Sequence, residues 1–138
     1  MSMAHTAAKV HGHFLAGEVG ELAGVSGNTI GQWARWGYIR ASQSAGEPHV
    51  YSVEDVAEAA IVRALLARGV RHRDVRRAIE RLEGDWPLSD APLATTAEGR
   101  PRIVLRENGD AYALSDRGWQ LMTAPPRLEE VHLRLRHW

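Results

Sequence analysis

Between Phe14 and Glu83 the apolar positions recur at helical spacing, and after Pro101 they alternate. In the first region Leu15, Val19, Leu22 and Ala23 mark a short amphipathic helix over 16–23, with Gly24 in the position of a C-cap. Ser26 is placed to cap a second helix, 27–36, which stops at Gly37. On that helix Ile30, Trp33 and Ala34 share one face and are expected inside. Asn28, Gln32 and Arg35 share another, with Thr29 beside them. The tryptophan side then anchors the helix, while two amides and a guanidinium look outward. Helix, glycine-containing turn and helix in such a short span form the helix-turn-helix signature.

Tyr38–Ser42 and His49–Tyr51 read as two short extended pieces around a turn marked by Gly46 and Pro48, a small wing. Ser52, with Asp55 three residues on, begins a third helix as a variant of the capping box. Val53, Val56, Ala57, Ala60, Ile61, Ala64 and Leu65 follow at helical spacing, and Gly69 ends the run. A fourth helix, 73–82, should bury Val75, Ala78, Ile79 and Leu82. Residues 84–100 hold two prolines and two glycines and read as a connector.

Beyond it, Arg102–Arg106 predicts a strand, Asn108-Gly109 a two-residue hairpin turn, and AYALS the return strand, with Tyr112 and Leu114 on one face. A turn at Asp116–Gly118 leads to WQLMT as a third strand. From Leu128 to Trp138, Val131, Leu133 and Leu135 alternate with His132, Arg134 and Arg136, as in a strand with one wet face. The predicted class is α+β: a frayed tail over 1–13, a winged helix-turn-helix of four helices and a wing over 14–83, the connector, and three or four antiparallel strands over 101–138. So short a sheet must pack on the winged helix, dimerise, or pair with another protein.

Composition narrows the function by exclusion. The 138-residue chain has no cysteine, so disulfides and thiolate metal sites are ruled out. It has no apolar run long enough to span a membrane and no secretory signal core at its start, so a cytoplasmic protein is expected. Lysine and arginine total 17, balanced by 17 acids, so nucleic-acid binding must come from a local patch. Arginines 63, 68, 71, 73, 76, 77 and 81, with Asp74 and Glu80 among them, form the densest one. It fits a grip on phosphates or on an acidic partner, and equally a solvated helix face with pairs such as Arg76–Glu80. His11 and His13 lack further ligands for a metal. No nucleophile, metal or phosphate-loop motif is present, so no enzyme, cofactor or metal is expected.

The stretches VGELAGVSGNTIGQWARWGYIRAS, HVYSVEDVAEAAIVRALLARGV and RDVRRAIERL, in that order, resemble the MerR-type winged helix, including its BldC-like and excisionase-like relatives. In the second helix Gly31, Gln32 and Trp33 stand where MerR activators carry an arginine and paired tyrosines, so this chain is more similar to the BldC-like pattern. The resemblance implies a second helix in the major groove of double-stranded DNA and a wing along the backbone. The residues it assigns to DNA are Asn28, Thr29, Gln32 and Arg35 on the helix and Arg40, His49 and Tyr51 for the wing. A promoter-binding regulator acting as a homodimer on paired half-sites is the expectation. The alternative is an antitoxin, similar to those that join such a domain to a strand-rich segment, which represses its own operon and holds a toxin through residues 101–138.

Overall fold

Among the described residues of the computed structural model, 13–39, 50–82 and 88–132, four α-helices precede a five-stranded antiparallel sheet. The architecture is α+β, as the change of period along the chain predicts. None of these helices is long and apolar enough to cross a membrane. The chain forms two compact units, with the boundary inside the third helix after Arg63.

The first unit holds α1 (Ala16–Ala23), α2 (Gly27–Arg35) and the start of α3 (Val53–Ala67). At the head of α1 the Glu18 carboxylate accepts a hydrogen bond from the Leu15 N–H at 3.0 Å. At its end Gly24 adopts φ +89°, a left-handed conformation that glycine enters without a Cβ clash. The N–H groups of Gly24 and Val25 then both donate to the Gly20 carbonyl, at 2.8 and 2.9 Å. Ser26 starts α2 directly afterwards, its hydroxyl accepting from the Thr29 N–H at 3.0 Å. Phe14 and Tyr51 form a two-way backbone bridge, 2.9 and 2.8 Å, just before α3. There Ser52 and Asp55 cap reciprocally: the Ser52 N–H donates to Asp55 Oδ2 at 2.8 Å and the Asp55 N–H to Ser52 Oγ at 3.1 Å. Val19, Ile30, Trp33, Tyr51 and Val56 are among the buried side chains of this unit.

The second unit continues from the end of α3 through α4 (His72–Arg81) and a 3-10 turn at Leu88–Asp90 to the sheet. Its strands are β1 (Leu93–Thr96), β2 (Ile103–Glu107), β3 (Asp110–Ser115), β4 (Gly118–Leu121) and β5 (Leu128–Glu130), in spatial order β4-β3-β2-β1-β5. Four strands meander and the fifth returns to the free edge of the first. The β2–β3 turn is the expected Asn-Gly pair, with φ +53° at Asn108 and +84° at Gly109, both positive as a type I′ turn requires. Ala94, Val104 and Ala113 lie side by side across β1, β2 and β3, and Leu93, Leu105 and Tyr112 form the next row on the opposite face. Met122 and Leu128 pack against Ala94, Val104 and Ala111 on the first face. On the other, α4 meets β3, and Trp119 Nε1 donates to the Arg81 carbonyl at 3.2 Å.

Two features depart from the sequence-based expectation. Strand β1 lies inside the stretch expected to be a connector, which raises the number of strands to five. All four of its residues, Leu-Ala-Thr-Thr, are buried, with one threonine on each face, so no apolar–polar alternation is visible. Strand β5 spans three residues rather than running on from Leu128 to the end; Leu133 and Leu135 lie outside the described residues.

Arg68 holds the β1–β5 edge. Its Nη1 donates to Thr95 Oγ1 and to the Glu129 carbonyl, both at 2.9 Å, and its Nη2 donates to the Glu130 carbonyl at 2.6 Å. Three charge-assisted bonds on a partly exposed side chain contribute about 2 kcal/mol in sum. Arg68→Ala is expected to lower the urea midpoint accordingly and to speed amide exchange at Val131, whose N–H bonds the Leu93 carbonyl at 2.9 Å across the same edge. Unchanged exchange at Val131 would show that the edge holds without the guanidinium.

Candidate nucleic-acid interface

The outward face of α2 is built by what its inward face buries. Ile30 and Trp33, 0% and 3% exposed, point into the first unit. Residues two positions from either one lie on the opposite side and must then face solvent, and Asn28, Gln32 and Arg35 are all exposed. Asn28 to Gln32 is a four-residue step and Gln32 to Arg35 a three-residue step, so the three form one stripe. Gly31 lies beneath it. A methyl group there would sit 3.5 Å from Arg35 Nη1, so the guanidinium extends back along the helix over the bare backbone. The stripe therefore offers two amides, each with a donor and an acceptor, and a planar five-donor fork.

Thr29 belongs to the start of the helix rather than to the stripe. Its hydroxyl lies 2.9 Å from Ser26 Oγ, so it is tied into the cap. Tyr51 is corrected more strongly. Expected to serve the wing on DNA, it is fully buried, its ring inside the first unit. The bridge to Phe14 fixes its backbone in extended form, and a large aromatic at that position fills core. Arg40 and His49, the other two wing residues, lie outside the described residues. Trp36 lies off the buried face that Ile30 and Trp33 share. It stands at the C-cap of α2, 45% exposed, with its ring edge-on to Tyr38 at 5.6 Å.

The arginine patch over residues 63–81 separates into different duties. Arg68 fastens the sheet edge. Arg81 donates to the Asp116 carbonyl at 3.0 Å, and Arg77 pairs with the Asp116 carboxylate at 2.8 Å and with Asp74 at 3.6 Å. Arg71 and Arg73 are exposed at the start of α4. Arginines at regular helical spacing look alike in sequence, and only the partners supplied by a distant β-turn tell the structural ones apart. Among the described residues no group of three or more His, Asp or Glu side chains could hold a metal.

No curated protein and no solved structure matches the chain. A family model does: that of the MerR HTH family of regulatory proteins matches residues 14–82, half of the sequence. The match spans the capped turn, α2 with its polar stripe, and the two helices that follow. Members of this family are DNA-binding regulators rather than enzymes. The chain belongs to the MerR helix-turn-helix family and is a DNA-binding transcription regulator.

Proposed function

We propose that the protein reads promoter DNA through Asn28, Gln32 and Arg35 of α2, as a homodimer on two half-sites. The observation that carries this reading is the exposed polar stripe opposite Ile30 and Trp33 on a helix whose start is fixed by a serine cap. Asn and Gln amides match the adenine N6/N7 edge bidentately, and an arginine fork matches guanine O6/N7. Thr29 holds the first turn of the reader in place, and Arg40 and His49 of the wing lie along the backbone. One short helix spans only a few base pairs, so a two-fold pair spaced by about one turn of DNA supplies the remaining affinity.

The test is binding of the purified chain to its own upstream DNA and to scrambled DNA, each titrated against salt, beside the double variant Gln32→Ala, Arg35→Ala. The variant is expected to reduce the preference for the upstream sequence about 10- to 100-fold, as the loss of one or two base contacts implies. Its non-specific affinity should fall far less. An undiminished preference would remove α2 as the reader.

A second role, holding a toxin through residues 101–138, draws on the outer edge of the sheet, where β4 has no further neighbour among the described strands and Leu121 is 56% exposed. Co-expression with the product of the adjacent gene tests it, and two proteins that purify separately would dismiss it.

A further inference from the structure

In the second unit, five arginines surround one concavity. Arg71, Arg73 and Arg77 of α4 and its approach, together with Arg100 of the β1–β2 turn and Arg102 just before β2, line a cleft of about 340 Å³. Asp74 and Asp116 are the acids in its wall, so five positive charges meet two negative ones. Both aspartates are taken by the same partner, since Arg77 bridges them at 3.6 and 2.8 Å. The guanidinium groups of Arg71, Arg73, Arg100 and Arg102 make no ion pair among the described residues. Four such groups around one hollow repel one another and focus a positive potential into it.

We propose that this cleft binds a phosphate-bearing small molecule of the oligophosphate or nucleotide class, with Arg71, Arg73, Arg100 and Arg102 on the phosphates. The fork of a guanidinium matches a pair of phosphate oxygens, and two pairs of forks from different elements match a ligand with two phosphates. The size of the cleft falls in the range of small-ligand sites, roughly 300–1,000 Å³. Arg77 neutralises the two aspartates, and a hollow lined by forks on several sides suits a compact ligand rather than the convex phosphate row of a duplex. Ile103 and Leu114 close the cleft with apolar surface. The proposal does not depend on α2 reading DNA, and its ligand would act as an effector.

The experiment is calorimetric titration of the full chain with inorganic pyrophosphate, against a sodium chloride blank of equal ionic strength. Saturable binding at one site per chain is expected, with Tm rising about 5 °C or more at a hundredfold excess over Kd. Arg100→Ala with Arg102→Ala should weaken binding at least tenfold, and Arg100→Lys with Arg102→Lys should recover part of it. Arg117→Ala, an exposed arginine outside the cleft, should leave it unchanged. Circular dichroism checks that each variant folds; if the alanine pair does not, Arg73→Ala on the exposed surface of α4 carries the same test. Non-saturating heats, or equal weakening by Arg117→Ala, would overturn the proposal. It would be overturned in favour of DNA backbone contact if pyrophosphate failed to bind while the alanine pair lowered the salt dependence of DNA binding. Loss of sequence preference in the Gln32, Arg35 variant is a separate readout, so the two readings fail separately.

Discussion

Trp33→Ala is expected to cost about 3–5 kcal/mol of folding free energy, and Trp36→Ala, one turn along the same chain, about 1 kcal/mol. The residues are alike in sequence and opposite in environment. Trp33 is 3% exposed and shares with Ile30 the buried face of α2, so truncation removes its contacts and leaves a cavity the size of an indole. Trp36 is 45% exposed, and an edge-to-face contact with Tyr38 is the ring interaction it would lose. A nine-residue helix has little stability of its own, so α2 stays helical because its apolar face is held. Trp33→Ala should therefore abolish DNA binding although the side chain points away from the exposed stripe. Urea unfolding followed by far-UV circular dichroism measures both variants. Equal costs at the two positions would show that Trp33 does not anchor the helix.

What could be read from the chain was local chemistry. Ser26, the Ser52–Asp55 pair and Asn108-Gly109 act within four residues, and each forms the cap or turn that its spacing implies. The exposure of Asn28, Gln32 and Arg35 follows in the same way, because the period of a helix fixes the far side once Ile30 and Trp33 are inside. Features that depend on distant parts of the chain were hidden. Strand β1 is buried on both faces and so lacks alternation; its place in the sheet is set by β2 and β5, not by its own pattern. Tyr51 has the polar tip expected of a wing residue, yet its backbone partner is Phe14, thirty-seven positions earlier, and that pairing turns it inward. The duties of Arg68, Arg77 and Arg81 depend on carbonyls and a carboxylate that the sheet delivers. Arg100 and Arg102 gave no signal at all, because they join the cleft from the β1–β2 connection while its other arginines come from α4 and its approach.

Gly20→Ala is expected to destabilise the first unit by about 3 kcal/mol, against the ordinary sign of that substitution in a helix. Alanine in place of a helical glycine usually adds about 0.5–1 kcal/mol of stability, because it restricts the unfolded chain and favours helix. At Gly20 the turn that follows α1 folds back onto the helix. A methyl group there would lie 2.5 Å from the Val25 carbonyl oxygen, 3.0 Å from the Ser26 carbonyl carbon and 3.1 Å from the Gly27 nitrogen. All three are backbone atoms, so no side-chain rotation relieves the clash, and the cost belongs at the upper end of overpacking penalties, about 1–3 kcal/mol. The chain would have to open the α1–α2 turn, loosening the bonds that Gly24 and Val25 donate to the Gly20 carbonyl. Gly17 is the internal control. It lies in the same helix, and a methyl group there meets nothing within 4 Å, so Gly17→Ala should stabilise by the usual amount. Urea midpoints for the two variants are thus expected to move in opposite directions from wild type. DNA affinity should fall with Gly20→Ala, because the displaced turn carries the Ser26 cap and with it the start of the reading helix. If both alanines stabilise, the turn does not press on α1 as closely as 2.5 Å requires, and the angle between the two helices would have to be set elsewhere.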